Sequence, residues 1–202
     1  MKNATVFVVD DDQAMRDSLK WLIESIGVKV ETYPTANAFL TCYSPEQNAC
    51  LVLDVRMPGM SGLELQDHLN RDGILIPIII ITGHGDIPMA VQALKAGALD
   101  FIEKPFNDEA LLDSIRVALS QNEAQRQCQL QQSVITARMA ILTPREHEVM
   151  MRVTQGLANK EIARNLGVSI KTVEAHRARV MEKMEAHSLA ALVRMVLAVS
   201  ED

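Results

Sequence analysis

The sequence predicts a parallel, doubly wound α/β sheet of five strands followed by a small all-α domain. Three observations lead there. Short runs that are apolar on consecutive residues alternate with segments of helical periodicity up to about residue 120; a glutamine-rich stretch follows; and from Thr143 onward the texture is purely helical. Strands apolar on every residue are covered on both faces, and right-handed crossovers supply the covering helices. Pattern alone leaves the strand order open.

Thr5-Val-Phe-Val-Val9 is the first strand, cut off by Asp10, Asp11 and Asp12. Met15, Leu19, Leu22, Ile23 and Ile26 then recur at helical spacing until Gly27 stops the helix. Val28 to Tyr33 is a second strand, and Thr35 to Tyr43 a short helix. The third strand, Asn48 to Asp54, ends its apolar run in a single acid, and Pro58-Gly59 turns the chain toward Ser61, a suitable N-cap for a helix carrying Leu65 and Leu69. Ile76-Pro-Ile-Ile-Ile-Ile-Thr82 is the most apolar strand and is expected as a central parallel strand covered by helices on both sides. Ile87, Val91 and Leu94 mark a helix ending at Gly97, and Asp100-Phe-Ile-Glu-Lys-Pro-Phe106 is a fifth strand halted by proline. Leu111, Leu112, Ile115, Ala118 and Leu119 give the last helix of this half.

Between Gln121 and Gln132 helical propensity persists with little to bury, so the segment reads as an extension of that helix becoming a linker. Its lack of a sustained apolar heptad speaks against a coiled-coil seam. Thr143-Pro-Arg-Glu146 then combines an N-cap, a proline at N1 and an acid at N3, the arrangement of a capping box. Gly156 closes this helix; a second runs from Asn159 to Leu166; Gly167 makes a tight turn; Ser169 caps a longer helix reaching Met184. Ser188 caps a last helix with Leu189, Leu192, Val193 and Val196 on one face. Two helices joined by a short glycine-containing turn form a helix-turn-helix, with Val168, Ile170, Val173 and Val180 expected in its core. The expected organisation is an α/β domain over 1–120, a helical linker over 121–140 and an all-α domain over 141–202.

The net charge of −6 conceals a division: residues 1–120 carry 9 basic against 17 acidic side chains, and residues 141–202 carry 9 against 8. In the latter, Lys171, Arg177, Arg179 and Lys183 stand against only Glu174 and Glu182, a locally basic stretch that points to nucleic acid. Cys42, Cys50 and Cys128 are odd in number and widely spaced, which suggests neither a disulfide framework nor a zinc site. With no apolar run approaching a membrane span and no signal-peptide core, a cytoplasmic protein without membrane partners is expected.

In a parallel sheet every strand tip points to the same end, so Asp10 and Asp11 after the first strand approach Asp54 after the third, joined by Thr82 and Lys104. Converging carboxylates repel, which raises a pKa or demands a cation. Oxygen-only ligands suit Mg2+ or Mn2+, and a carboxylate is able to attack phosphorus to give an acyl phosphate. Asp12 reads as a solvated start to the first helix. His68, His147 and His187 are assigned nothing, and His84 is a candidate influence on acyl-phosphate hydrolysis.

Asp10-Asp11, the loop from Asp54 to Gly62, Thr82-Gly83 and Lys104-Pro105-Phe106 resemble the receiver domain of two-component response regulators, and with it a flavodoxin-like sheet. Leu142-Thr-Pro-Arg-Glu146, Asn159-Lys-Glu-Ile-Ala163 and Thr172-Val-Glu-Ala-His176 resemble the four-helix LuxR-type helix-turn-helix. Together the motifs are similar to the FixJ subgroup over nearly the whole chain. The resemblance implies that Asp54 is the phosphoacceptor, with a sensor histidine kinase as donor. It implies Asp10, Asp11, Asp54 and the carbonyl of Arg56 as metal ligands, and Thr82 and Lys104 as the pair sensing the phosphoryl group. It further implies a cis Lys104-Pro105 bond, Phe101 as a switch aromatic, and Val91, Lys95 and Glu103 on a face through which phosphorylated copies dimerise.

For the output domain, Lys160, Lys171, Thr172, Arg177 and Arg179 are candidates for DNA backbone contact, His176 for phosphate contact or for support of the helix, and Glu174, Ala175 and Ala178 lie where the resemblance places contacts to bases. Glu174 stands where many relatives carry a base. So few cations bind promoter DNA weakly in one copy, so a homodimer supplies the affinity. The chain thus reads as a phosphorylated transcription regulator, with self-dephosphorylation at most slow, and not as an enzyme. Two competing readings are a DNA-binding regulator sensing a ligand or protein without phosphorylation, and an aspartyl-phosphate hydrolase of the haloacid dehalogenase type. The second expects an acid two residues after the nucleophile, where this chain has Arg56.

Overall fold

The computed structural model describes residues 4–44, 47–83 and 86–200, with nothing specified for the side chain of residue 200. His84 lies outside the described residues. The chain divides into two compact units, Met1–Arg126 and Gln127–Asp202.

The first unit alternates β1 (Ala4–Val9), α1 (Gln13–Glu24), β2 (Lys29–Tyr33), α2 (Ala36–Cys42), β3 (Asn48–Asp54), α3 (Gly62–Arg71), β4 (Ile78–Thr82), α4 (Ile87–Lys95) and β5 (Asp100–Glu103), and then enters α5 (Asp108–Ala140). The sheet is parallel throughout, in the order β2-β1-β3-β4-β5. The order reverses between β1 and β3, so these two strands flank the crevice where ligands bind in open α/β sheets. Continuous apolar runs follow from burial on both faces. Val6 and Val8 of β1 and Ile79 and Ile81 of β4 pack with Leu19 and Ile23 of α1 and with Leu111 and Ile115 of α5. Phe7, Val9, Ile78 and Ile80 turn to the other face, against Phe39 of α2, Leu65 and Leu69 of α3 and Ala93 of α4.

Local chemistry sets the ends of the helices. Asp12 accepts hydrogen bonds from the backbone N–H groups of Ala14 and Met15 and so caps α1, and Thr35 caps α2. Ser61 and Glu64 form a reciprocal capping box at the start of α3. The expected fourth strand shortens to Ile78–Thr82 and the fifth to Asp100–Glu103, the latter stopped by a cis Lys104-Pro105 bond. α5 runs unbroken for 33 residues, and its polar middle is less idle than composition suggested. Asn122 is buried, accepting from Ala49 N at 3.0 Å and donating to Leu75 O at 3.3 Å.

The second unit packs α6 (Pro144–Thr154), α7 (Asn159–Leu166), α8 (Ile170–Lys183) and α9 (Leu189–Ser200) with the last turns of α5. Val149, Ile162, Val173, Val180, Leu192 and Val196 form its core, with Ile135 and Met139 of α5 packed against it. Gly167, at φ 65°, makes the left-handed turn between α7 and α8, and Ser169 caps α8. One core expectation is corrected. Ile170 is 44% exposed, because as the first residue of α8 it projects off the helix end, while Val173 and Val180 occupy the buried face.

Candidate functional site

The crevice between β1 and β3 gathers an acidic pair around one cation. Asp10 follows β1 and Asp54 ends β3; both are buried. Lys104, at the end of β5, donates from Nζ to Asp10 Oδ2 and to Asp54 Oδ1, each at 2.8 Å. The second oxygen of each carboxylate takes a backbone N–H, Asp12 N on Asp10 at 2.9 Å and Arg56 N on Asp54 at 2.7 Å. Thr82 is fully buried at the tip of β4, and its carbonyl accepts from Lys104 N at 2.8 Å.

The electrostatics follow from this placement. Burial pushes the Asp54 carboxyl above its ordinary value and the Asp10 charge adds to the rise, while Lys104 opposes it. Burial alone would lower the Lys104 ammonium, but its hydrogen bonds and charge interactions with Asp10 and Asp54 outweigh that and raise it. The expected crowd of three carboxylates is therefore two carboxylates sharing an ammonium. Asp11 is exposed, and among the described residues no group of three or more His, Cys, Asp or Glu side chains gathers as a metal cage. The donor chemistry nevertheless fits a hard cation. Asp10 and Asp54 offer only oxygen, and a small divalent ion keeps several waters and needs few protein ligands.

Two residues that sequence reading passed over hold the site in shape. Arg16, buried on α1, donates from Nη1 to Asp10 O at 2.6 Å and from Nη2 to Gln13 Oε1, fixing the backbone from which the carboxylate projects. The signal for it was an arginine on the apolar side of a helix that begins at an acidic loop. Gly62 is the other: a Cβ there would lie 2.2 Å from Asp54 O, so the loop after β3 closes back only through glycine. Its N–H donates to Val55 O at 2.9 Å.

Phe101 is half-buried on β5 against the α3 and α4 side of the sheet. Val91 and Lys95 of α4 and Glu103 of β5 are exposed, as are Ile87 and Leu94.

In the second unit, α8 shows solvent Lys171, Thr172, Glu174, Ala175, Ala178 and Arg179, opposite Val173 and Val180; Lys160 is exposed on α7. Two candidates are more engaged than sequence suggested. Arg177 is half-buried and donates to Asn159 Oδ1 at 2.5 Å, tying α8 to α7, and the Thr172 hydroxyl pairs with Ser169 at 2.8 Å. His176 is also half-buried, its Nδ1 enclosed and without a hydrogen-bond partner. Lys183 points the other way, to Glu146 at 2.7 Å, and holds that buried carboxyl at about 2 together with the Thr143 N–H.

Comparison with known proteins agrees with both halves. Residues 6–116 match the response regulator receiver domain, and residues 140–196 match the bacterial regulatory proteins of the luxR family. The transcriptional regulatory protein FixJ of Azorhizobium caulinodans is 48% identical over 192 residues, covering 95% of this chain and 91% of that protein. Among solved structures, the response regulator StyR superposes with a TM-score of 0.88 at 48% identity, covering 96% of this chain and 98% of that one. Full-length FixJ from B. japonicum gives 0.59 at 44% identity, with 98% of each chain covered.

Proposed function

This chain belongs to the FixJ-like response regulators, transcription regulators of two-component systems with a receiver domain and a luxR-type DNA-binding domain, and on that premise we propose that Asp54 is its phosphoacceptor. Membership implies a sensor histidine kinase as partner and DNA as target. The observation carrying the reading is the Lys104 ammonium shared at 2.8 Å by Asp54 and Asp10 on the two strands that flank the switch point.

In the transfer, an Asp54 carboxylate oxygen forms a bond to phosphorus as the bond from phosphorus to the donor's imidazole nitrogen breaks, and the freed imidazole takes up a proton. Asp10 and Asp54, with the Arg56 carbonyl and with Asp11 turned in from the surface, would hold Mg2+, which would supply neutralising charge to the phosphoryl oxygens. Lys104 releases Asp54 and turns its ammonium to one phosphoryl oxygen. The Thr82 hydroxyl donates to another, and Phe101 turns inward behind it. The surface bearing Val91, Lys95 and Glu103 then pairs two copies. Dimerisation adds the phosphate contacts of two α7–α8 units, through Lys160 of α7 and Lys171 and Arg179 of α8, so that DNA binding rises by effective concentration. Arg56 leaves the position of a hydrolase's second acid without one, which suits a retained phosphoryl signal over turnover.

The test incubates the full chain and its Asp54→Asn variant with acetyl phosphate and Mg2+, then measures mass by sedimentation and affinity for promoter fragments. The wild type gains both dimer and DNA binding, and the variant gains neither. A variant that dimerises and binds as well as the treated wild type overturns the reading.

A further inference from the structure

The C-terminal half of α5 carries an apolar stripe on its solvent side. Leu130, Val134, Ala137 and Ile141 succeed one another at intervals of four, three and four, the d-a-d-a spacing of a coiled-coil seam. All are exposed, Leu130 by 62%, Val134 by 48% and Ile141, in the turn after the helix, by 61%. The other side of the same stretch is committed to its own domain. Ile135 and Met139 pack on the domain core, Gln132 donates to Ala198 O at 2.9 Å, and Arg138 donates to Met184 O at 3.2 Å. The stripe therefore faces outward by construction. It continues into a groove of about 550 Å3 against Met195 and Ala198 of α9.

The occupant follows from charge and area. The residues flanking the seam, Gln131, Ser133 and Ala140, are uncharged, and Arg138 is already paired with Glu185. Along α5 two copies meet without like-charge repulsion, and since Arg194 of α9 is, among the described residues, the one further charge lining the groove, a partner chosen by charge finds a single side chain to read. Heptad spacing is self-complementary, so the same stripe serves both sides of a two-fold contact. From Leu130 to Ile141 the seam is only about 17 Å long, a contact of a few hundred Å2. A stable pair buries about 800 Å2 on each partner. Alone the seam holds nothing together; it closes where something else has brought two copies side by side.

We propose that the Leu130–Ile141 stripe is an interface between two copies of this chain, zipping as a short parallel seam once the receiver domains have dimerised. This rests on the phosphorylation-driven dimer proposed above. The test uses the full chain with Cys42→Ser and Cys128→Ser, carrying a single new cysteine at the seam (Ala137→Cys) or off it (Gln129→Cys). Disulfide linking is followed under mild oxidation with and without beryllofluoride and Mg2+, and mass is read in parallel by light scattering. Ala137→Cys links at least tenfold faster with the phosphoryl analogue, and Gln129→Cys shows no such gain. In the background with native cysteines, Leu130→Gln with Val134→Gln weakens the activated dimer several-fold while its unactivated mass and melting temperature stay unchanged. If the analogue produces the dimer but Ala137→Cys links no faster than Gln129→Cys, the seam is wrong and the phosphorylation reading stands. If the analogue produces no dimer, both fall.

Discussion

Lys104 is the residue on which the receiver site turns, because two buried carboxylates on neighbouring strands depend on its ammonium. Removing it leaves like charges facing each other out of water, which costs about 3–5 kcal/mol. Lys104→Ala is thus expected to melt well below wild type, and millimolar Mg2+ to raise its melting temperature by more than it raises that of wild type; an equal rise in both contradicts the shared-cation account. Asp54→Asn goes the other way. Folding favours the neutral form of a carboxyl whose pKa is raised, so the variant is expected to melt a few degrees higher in a thermal scan. Gly62→Ala has no such freedom, since its Cβ meets the Asp54 carbonyl; a loss of about 2–4 kcal/mol in urea unfolding is expected. Asp10, Asp54 and Thr82 were legible as positions in the sequence because each ends an apolar run, and Lys104 because it closes the fifth strand just before a proline. Arg16 and the steric role of Gly62 were not, since both act on backbone atoms that only the closed loops bring within reach.

Helices whose ends are made by their own residues could be read directly. Thr35, Ser61, Thr143 and Ser169 each accept a backbone N–H three residues on, a pattern local enough to survive any tertiary context. Thr143→Ala is expected to destabilise the C-terminal unit by about 1 kcal/mol, read in its thermal unfolding. Contacts between elements were less visible. Strand order, the Asn122 bridge and the Glu146–Lys183 pair join residues far apart in the chain, and Ile170 was misplaced because periodicity does not register that the first residue of a helix has no neighbouring turn to pack it. The Glu146 pair carries its own pH signature. Its carboxyl is held at about 2 against an ordinary 4.5, so its contribution is whole above 4.5 and disappears as pH falls through 2. Acid titration of unfolding should show that loss in wild type, and Glu146→Gln should flatten it.

At the scale of the molecule, a receiver domain with an acidic crevice and a luxR-type domain of helices form separate units, the first proposed for phosphoryl transfer and the second for DNA, and α5 contributes residues to both. The charge division legible in the sequence matches this split of tasks, 9 basic against 17 acidic side chains in the first 120 residues and near balance after residue 140. No helix among the described residues is long and apolar enough to cross a membrane. On the reading proposed above, one covalent event joins the halves in function, and everything downstream of it, from Thr82 and Phe101 to the paired α8 helices, requires that it occur at Asp54. The most direct measurement is the intact mass of the full chain and of Asp54→Asn after incubation with acetyl phosphate and Mg2+. The account predicts that the wild type gains the mass of a single phosphoryl group, lost again in mild base, and that the variant gains none; equal labelling of both, or none of either, would contradict it.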